Sequence, residues 1–388
     1  MVKLAIFQTL LAASLATTAL AHGGNHELHL RTHAKRAGFY ENSKRALQQC
    51  AQHMKARGIE QTAIERRQAL AQKLSRRSTV LQARNSTESI NTDHETNLTG
   101  VTIDTEPSVL FSGNISCMLV PEVTQGPYCK QYPESPSPQS KTNIPTLAPP
   151  PPPDVDGEFI REDLREDQEG VDTYIDVQII DTNTCEPLTG AYIDFWHANA
   201  TGVYSGVVAS GNGNSNDATN VNNTFLRGIQ PTGDDGVAEF LTVFPGHYTS
   251  RATHIHVLVH QNGTVLPNNT YSGGTVSEVG QLFFDQDLIN KVEKTTPYST
   301  NTQNLTENTS DQILEQEAED DFDPIVEYTL LGDDISDGIL GWISFGVNAS
   351  AAYEISAAAT LYASGGVMDD DSSSSSPGGG NSSAAPSS

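Results

Sequence analysis

The sequence has 388 residues, of which 22 are Lys or Arg and 48 are Asp or Glu, so its formal net charge is −26. The charge is unevenly distributed, because only 8 basic residues accompany 44 acidic residues from residue 85 onward. A domain with this excess of negative charge repels nucleic acids and anionic membranes, so neither is expected as a partner.

The first residues have the three parts of a secretory signal peptide. Lys3 provides a basic start, residues 4–15 are largely apolar, and Ala19 and Ala21 are the small residues of a cleavage site. We therefore predict that residues 1–21 are a signal peptide and that the protein is secreted to the extracellular space. No later run of the sequence reaches the ~18 apolar residues that a membrane span needs.

Asn-x-Ser/Thr sequons are frequent, as is typical of a glycosylated surface. Asn199 lies five residues before a candidate site residue, Tyr204. We expect the Asn199 sequon to be unoccupied or directed away from that site. The sequons begin at Asn85, Asn97, Asn114, Asn199, Asn222, Asn262, Asn268, Asn304, Asn308, Asn348 and Asn381.

Residues 22–84 are basic and polar, with helical spacing of apolar residues in places. Two interpretations of this segment stay open. It is either a pro-segment that is cut at dibasic pairs or a helical face that remains attached. The dibasic pairs are Lys35-Arg36, Lys44-Arg45, Arg66-Arg67 and Arg76-Arg77. Residues 85–112 are predicted to be a polar linker.

Residues 113–350 have short β-rich runs that are separated by Gly, Pro, Asn and Asp. Evenly spaced strands with few long helices favour a mainly β fold, a β-sandwich of mixed strands with long loops, which here follows the basic helical segment. The predicted strands are Thr173–Ile180, Ala191–Trp196, Val237–Val243, Thr253–His260, Gln281–Phe284, Val326–Leu331 and Leu340–Val347.

Three segments outside these strands have distinctive compositions. Residues 133–153 are rich in proline and predict an extended surface loop. Residues 303–323 are acidic and predict a short helix. Residues 351–388 form a tail that is rich in Ser and Gly, and its composition predicts disorder from about residue 369.

The sharpest local pattern is the pair His254 and His256. Side chains two positions apart on a strand share a face, so both imidazoles can reach one metal ion. Tyr248 follows a Pro-Gly turn shortly before this pair, and Tyr204 lies at an earlier turn. Arg251 is a lone charge at the entrance of a β-rich core.

Several metal sites could use this histidine pair. A site with two histidines and one carboxylate needs a nearby acid, but the next acid after His256 is Glu278. A zinc site with three histidines could recruit His197 or His260. Two tyrosines beside the histidines favour Fe(III) instead, because a phenol gives up its proton to a strongly charged ion.

The sequence resembles the intradiol ring-cleavage dioxygenases, and within them the fungal extracellular branch, from about Cys117 to Ala349. Seven segments carry this resemblance. They are Leu119–Tyr128, Ile160–Asp163, Asp194–His197, Gly202–Gly206, Phe225–Gly228, Pro245–His256 and Gly280–Phe284. The resemblance implies that residues 113–350 form the dioxygenase-like β-sandwich domain. By position, the ligands of one Fe(III) per chain would be Tyr204, Tyr248, His254 and His256.

The resemblance also implies an activity and the roles of further residues. The enzyme would use O2 to cleave catechol-type aromatic rings between the two hydroxyl-bearing carbons, and the products would be of the cis,cis-muconate type. Tyr248 would accept a substrate proton, Arg251 would stabilise charge on the ring, and Gln281 would orient a substrate oxygen. Tyr128 would line the substrate site. The ring substituents of the substrate and the oligomeric state stay open, with a homodimer as one option.

Two other functions remain as alternatives. The same β-sandwich could be a non-catalytic module that binds aromatics or carbohydrate, since a fold does not fix a function. A zinc hydrolase with three histidine ligands, His197 among them, would leave both tyrosines unexplained.

The sequence contains four cysteines. An even number in a secreted chain indicates disulfides. Cys117 begins the domain that resembles the family and Cys185 follows an early strand, so we predict that these two pair. Cys129 is then expected to be free or paired with Cys50.

Overall fold

A computed structural model describes residues 42–43, 45–75, 128–129, 157–208, 216–318, 322–353, 357–362 and 365–368. The predicted signal peptide (1–21), the linker (85–112), the proline-rich loop (133–153) and the tail from residue 369 lie outside the described residues. The chain divides into two compact units, Met1–Gln48 and Gln49–Ser388. Within the described ranges, no helix is long and apolar enough to cross a membrane.

The second unit is built mainly from strands. Its helices are a first helical stretch at 49–57, α1 (Ile59–Ser75), α2 (Gln286–Val292) and α3 (Gln312–Glu317). Its strands are β1 (Tyr128–Cys129), β2 (Glu158–Phe159), β3 (Asp172–Asp181), β4 (Glu186–Pro187), β5 (Tyr192–Trp196), β6 (Arg227–Pro231), β7 (Val237–Val243), β8 (His254–Gln261), β9 (Thr264–Val265), β10 (Thr270–Ser272), β11 (Thr275–Phe283), β12 (Glu327–Leu330), β13 (Ile339–Val347), β14 (Ala357–Tyr362) and β15 (Gly365–Met368). Short 3-10 turns lie at Ala218–Asn222, Tyr298–Thr300, Asn308–Ser310 and Ile335–Asp337.

Two larger sheets organise the domain. One has the order β12-β13-β3-β4, with β7 also paired to β3, and the other has the order β11-β8-β5-β6. β13 runs parallel to β3, whereas β7 and all the neighbours in the second sheet are antiparallel. The prediction of a mainly β fold with mixed strands is confirmed.

The two sheets pack through apolar side chains that alternate along their strands. Phe195 on β5 stacks on Phe240 on β7, with ring centroids 4.1 Å apart. Val257 on β8 is the register partner of Phe195 and therefore points to the same inter-sheet core. His256 and Trp196 form the next register pair and point to the opposite face of the second sheet.

Helix α1 covers the first sheet. Its apolar side chains Leu70 and Leu74 pack with Leu340 and Trp342 of β13. Part of the predicted basic segment 22–84 therefore shares a hydrophobic core with the strands. The spacing of its apolar residues places them on the face of α1 that packs against the sheet. Removal of the segment as a pro-segment stays one of the two open interpretations.

Charged groups hold α1 on the same sheet. Arg66 makes two hydrogen bonds to Asp176 on β3, at 2.7 and 2.9 Å, and a third at 2.7 Å to Asp235. Arg67 is 2% exposed and donates to Asp176 at 3.2 Å and to Ser344 at 2.9 Å. The dibasic pair Arg66-Arg67 is thus an internal contact that compensates a fully buried carboxylate.

The disulfide differs from the predicted pairing. Cys50 is bonded to Cys185, with their Cα atoms 4.8 Å apart, so the predicted Cys117–Cys185 bond is wrong, and Cys50 is not a partner for Cys129. The reason is that the helical segment before α1 places Cys50 against the turn between β3 and β4, which contains Cys185. Cys117 and the side chain of Cys129 lie outside the described residues.

We expect Cys50→Ser to destabilise the domain by about 2–5 kcal/mol, because the disulfide closes a long loop and restricts the unfolded chain. Urea unfolding of Cys50→Ser, Cys185→Ser and the double variant measures this effect. The three losses are expected to be equal, since each variant breaks the same bond. Losses that add in the double variant, or peptide mapping that links Cys185 to Cys117, would contradict the assignment.

Candidate metal centre

Strand β8 positions the two histidines of the predicted site. His254 and His256 are both 2% exposed and lie on the same face of the strand. β8 is the second strand of its sheet, so neighbours on both sides hold the backbone of these histidines. Gln281 on β11 and Trp196 on β5 are the register partners of His256. The second sheet therefore supplies a rigid base for the site.

A tight turn after β5 positions Tyr204. The Asn199 side-chain oxygen accepts hydrogen bonds from the backbone N–H groups of Thr201 and Val203, both at 3.1 Å. Gly202 has a φ of +78°, and a Cβ atom there would collide with the backbone oxygen of His247. The Asn199 amide nitrogen also donates to Gln168 at 2.9 Å. This side chain is engaged inside the fold, and the sequon stays predicted to be unoccupied or directed away from the site.

The loop after β7 positions Tyr248. A Cβ atom at Gly246 would overlap the backbone of Asn199 and Ala200, so this glycine lets the two tyrosine loops touch. Gly246 also donates its N–H to the carbonyl oxygen of Ala198 at 3.3 Å. Gly246 therefore brings the Tyr248 loop against the Tyr204 loop, whereas the tight turn lies after Tyr248, at Thr249 and Ser250, and not at the predicted Pro-Gly pair.

The four predicted ligand side chains converge on one point. The Nε2 atom of His254 lies 3.2 Å from the hydroxyl of Tyr204, 3.2 Å from the hydroxyl of Tyr248 and 3.2 Å from Nε2 of His256. A neutral imidazole nitrogen has a single lone pair and can accept one good hydrogen bond. Three polar atoms lie around that nitrogen, more than it can bind through hydrogen bonds. The arrangement therefore fits four ligand atoms that share one cation better than it fits a hydrogen-bond network.

The protonation states suit metal binding. Nδ1 of His254 donates to the carbonyl oxygen of Ala252 at 2.6 Å, which leaves Nε2 with its lone pair toward the site. Burial lowers the pKa of His254 well below its ordinary value and lowers the pKa of His256 to about 3, with the charge of Arg251 acting in the same direction. Both imidazoles are thus neutral, and neither would have to lose a proton to bind a metal.

Burial acts on the phenol in the opposite sense. It raises the pKa of Tyr248, although the nearby Arg251 charge opposes this effect. A partly buried phenol with a raised pKa becomes a phenolate at neutral pH only when a strong positive charge is placed beside it. Two neutral imidazoles and two such phenols match the donor preferences of Fe(III).

The alternative zinc site with three histidines is not formed. His197 uses both ring nitrogens, because Nδ1 donates to the Ala198 carbonyl at 2.9 Å and Nε2 accepts from the Thr242 hydroxyl at 2.7 Å. His260 lies four residues beyond His256, about 13 Å along the strand. In the part of the chain that the structure describes, no three His, Cys, Asp or Glu side chains are grouped to hold a metal.

Arg251 and Gln281 lie together beside the four donors. The guanidinium of Arg251 donates to the side-chain oxygen of Gln281 at 2.5 Å, and Gln281 is 1% exposed. Gln281 is thus a buried amide whose oxygen has a charged partner. The catalytic roles that the resemblance gives these two residues remain predictions, as do the ligand roles of the four donors.

Tyr128 belongs to β1, which pairs with β14. Its side chain lies outside the described residues. Its predicted place in the substrate site therefore stays a prediction.

Two residues that the sequence analysis missed connect the site to the acidic stretch 303–323. Gln303 joins the two tyrosine loops, since its side chain donates to the Thr201 carbonyl at 3.2 Å and accepts from the Thr249 N–H at 3.3 Å. Asp311 accepts a hydrogen bond from Nε of Arg251 at 3.0 Å. The acidic composition of the stretch gave no signal that single side chains in it reach the site.

Trp196 separates the donors from a buried charge network. The Trp196 ring meets the Tyr204 ring edge-on, with the ring centroids 4.9 Å apart. The Arg227 guanidinium lies over the Trp196 ring, 4.8 Å from the ring centroid, in a cation–π contact. Arg227 pairs with Glu158 at 2.5 Å. Its positive charge contributes, after burial and Arg251, to the low pKa of His256.

Residues 151–269 match the family model described as Dioxygenase. Among solved structures, the chain is similar to an intradiol ring-cleavage dioxygenase from Tetranychus urticae, with 26% identity, coverage of 61% of this chain and 98% of that chain, and a TM-score of 0.44. It is similar to hydroxyquinol 1,2-dioxygenase from Pseudomonas putida DLL-E4 at 17% identity, coverage of 54% and 68%, and a TM-score of 0.30. Catechol 1,2-dioxygenase from Pseudomonas arvilla C-1 gives 16% identity, coverage of 50% and 58%, and a TM-score of 0.30. No curated protein matches the chain.

Proposed function

Residues 151–269 are similar to the dioxygenase family, as the sequence predicted, and from this similarity we propose that the protein is an Fe(III)-dependent intradiol dioxygenase. Its substrates are catechol-type aromatics and O2. The observation that carries the proposal is the convergence of two phenols and two neutral imidazoles, in which Nε2 of His254 lies 3.2 Å from the other three donor atoms. Secretion, surface glycosylation and membership of the fungal extracellular branch belong to the same proposal.

Tyr204, Tyr248, His254 and His256 would hold one ferric ion per chain. When bound, Fe(III) draws electron density from a catecholate, which makes the ring reactive toward O2. Both oxygen atoms of O2 enter the product, so catechol plus O2 has the composition of the cis,cis-muconic acid that results.

Tyr248 is the better placed of the two tyrosines to act as a base. Its side chain is only partly buried and lies on a loop, whereas Tyr204 is 5% exposed and packs against Trp196. The phenolate of Tyr248 would accept a proton from a substrate hydroxyl. Tyr204 and the histidines, fixed by the turn and by β8, would keep their positions during turnover.

Arg251 and Gln281 would act on the substrate itself. Arg251 places a preorganised positive charge beside the donors, where negative charge develops on the ring. Gln281 would orient a substrate oxygen, and its contact with Arg251 fixes the relative positions of the two groups.

Metal analysis and turnover of the purified protein test this proposal. We expect about one iron per chain and a reddish colour from ferric tyrosinate, as the hard phenolate donors require. A screen of catechol, protocatechuate and hydroxyquinol with O2 is expected to give ring-opened products for at least one substrate. Stoichiometric zinc without a visible band would contradict the proposal, and binding of aromatics without O2 uptake would favour a non-catalytic module.

A further inference from the structure

Asp311 is a buried carboxylate next to the candidate metal centre that neither the sequence nor the ligand set assigns to a function. It lies in the acidic stretch, directly before α3, and is 2% exposed. Burial of a carboxylate is costly unless its oxygens are paired or hydrogen-bonded. Its partners therefore indicate why it is kept there.

The two oxygens of Asp311 have different partners. Oδ1 accepts hydrogen bonds from the backbone N–H groups of Ile313 at 2.7 Å and Leu314 at 3.2 Å, which caps α3. Oδ2 accepts from Nε of Arg251 at 3.0 Å and from the backbone N–H of Ala252 at 2.6 Å. One oxygen thus fixes the helix, and the other fixes the arginine beside the four donors.

The contact at Nε has a specific consequence for Arg251. A long arginine side chain has several rotatable bonds, and an anchor at Nε fixes the side chain near its tip. The terminal nitrogen is left to contact Gln281 at 2.5 Å. Together the two contacts hold the plane of the guanidinium beside the histidine and tyrosine donors.

We propose that Asp311 is the positioning residue of the site: it holds Arg251 in the orientation in which that arginine acts on the substrate. This inference rests on the proposed function, since it assigns the orientation of a group to the ring-cleavage reaction. Helix capping alone would not explain the position of Oδ2, because both capping hydrogen bonds are made by Oδ1.

Asp311→Ser tests the proposal. Serine is a good N-cap, so α3 keeps its cap, but the short side chain does not reach Nε of Arg251. We expect the variant to fold, to keep its iron and its visible band, and to show a band shift with catechol. We expect kcat to fall by about 10- to 100-fold with a small change in KM, because the loss lies in the orientation of Arg251. Unchanged kcat would overturn the proposal.

A double-variant cycle separates positioning from a general structural effect. If Asp311 acts through Arg251, the variant with both Asp311→Ser and Arg251→Ala is expected to have the kcat of Arg251→Ala alone. Multiplied losses would overturn the proposal. Asp334→Ser is the matched control, because Asp334 also caps a short helix. Its side-chain oxygen accepts a hydrogen bond from the backbone N–H of Ser336 at 3.0 Å. The control is expected to keep the kcat of the wild type.

A chemical readout that needs neither iron nor turnover separates a failure of the positioning contact from a failure of the proposed function. Phenylglyoxal modifies free guanidinium groups, and peptide mapping measures its rate at Arg251 in metal-free protein. We expect a several-fold faster modification of Arg251 in Asp311→Ser than in the wild type, and no change in Asp334→Ser. An equal rate in Asp311→Ser and wild type would overturn the positioning role. If the wild type lacks iron and turnover while Arg251 is modified faster, the proposed function fails and the contact between Asp311 and Arg251 stands.

Discussion

Arg251→Ala is expected to turn over catechol on the order of 100-fold or more slowly than the wild type while it keeps its iron. Arg251 is not one of the four converging donors, and its guanidinium is engaged with Gln281 and Asp311. The variant should therefore stay coloured and should still shift its visible band when catechol is added. Stopped-flow turnover and metal analysis of the same preparation measure the two properties.

His256→Ala is the contrasting variant. Its side chain is one of the four converging donors, and no other histidine is placed to replace it within the described residues. Metal and activity are expected to be lost together. A colourless Arg251→Ala would mean that Arg251 builds the metal centre, and near-normal turnover would mean that it only forms the ion pair with Asp311.

Arg67→Ala is expected to destabilise the domain by about 3–5 kcal/mol, because it removes one partner of a fully buried carboxylate. Asp176 is 0% exposed and receives hydrogen bonds from both Arg66 and Arg67 of α1. Arg67 also lies over the Trp342 ring, 6.0 Å from its centre, so packing is lost as well. Urea unfolding of the variant and the wild type at neutral pH measures the loss.

Arg57→Ala is the matched control for this effect. Arg57 pairs with Glu186, but their side chains are 49% and 40% exposed. An exposed ion pair contributes at most about 1 kcal/mol. A similar loss in both variants would contradict the argument, since burial is the property in which they differ.

The Asp176 pair also gives the expected dependence on pH. Burial alone would raise the pKa of Asp176, but the two guanidinium groups outweigh burial and hold the pKa below its ordinary value. The stabilisation is therefore present above the unfolded-state pKa of about 3.9 and is lost as the pH falls through the lower folded-state value. The stability difference between wild type and Asp176→Asn is expected to shrink below about pH 4.

The sequence predicted several strands well, because the apolar pattern of each one has a single structural explanation. The predicted strand Val237–Val243 agrees with β7, and Thr253–His260 differs from β8 by one residue at each end. Apolar, β-branched runs between turn residues leave few alternatives to a buried strand. The short helix in the acidic stretch was also predicted correctly, as α3.

Side-chain type and local spacing predicted only part of the candidate site. The histidine pair lies on one strand, so its shared face follows from the period of a strand. The two tyrosines approach it through loops, and their placement came from the family resemblance. Asp311 was missed, and Cys50 was assigned the wrong partner, because Arg251 and Cys185 are 60 and 135 residues away from them in sequence.

The parallel pairing of β13 with β3 has a consequence for how the chain folds. Ile339 pairs with Thr173 and Val347 with Asp181, so the two strands are joined by more than 150 intervening residues. Contacts between distant residues require the closure of large loops, which slows folding and delays the contact until the later residue is available. During synthesis, β3 can pair with β7 before β13 has been made, so the other edge of β3 is still unpaired at that stage. The first sheet, and with it the surface on which α1 packs, is completed only after residue 347 has left the ribosome.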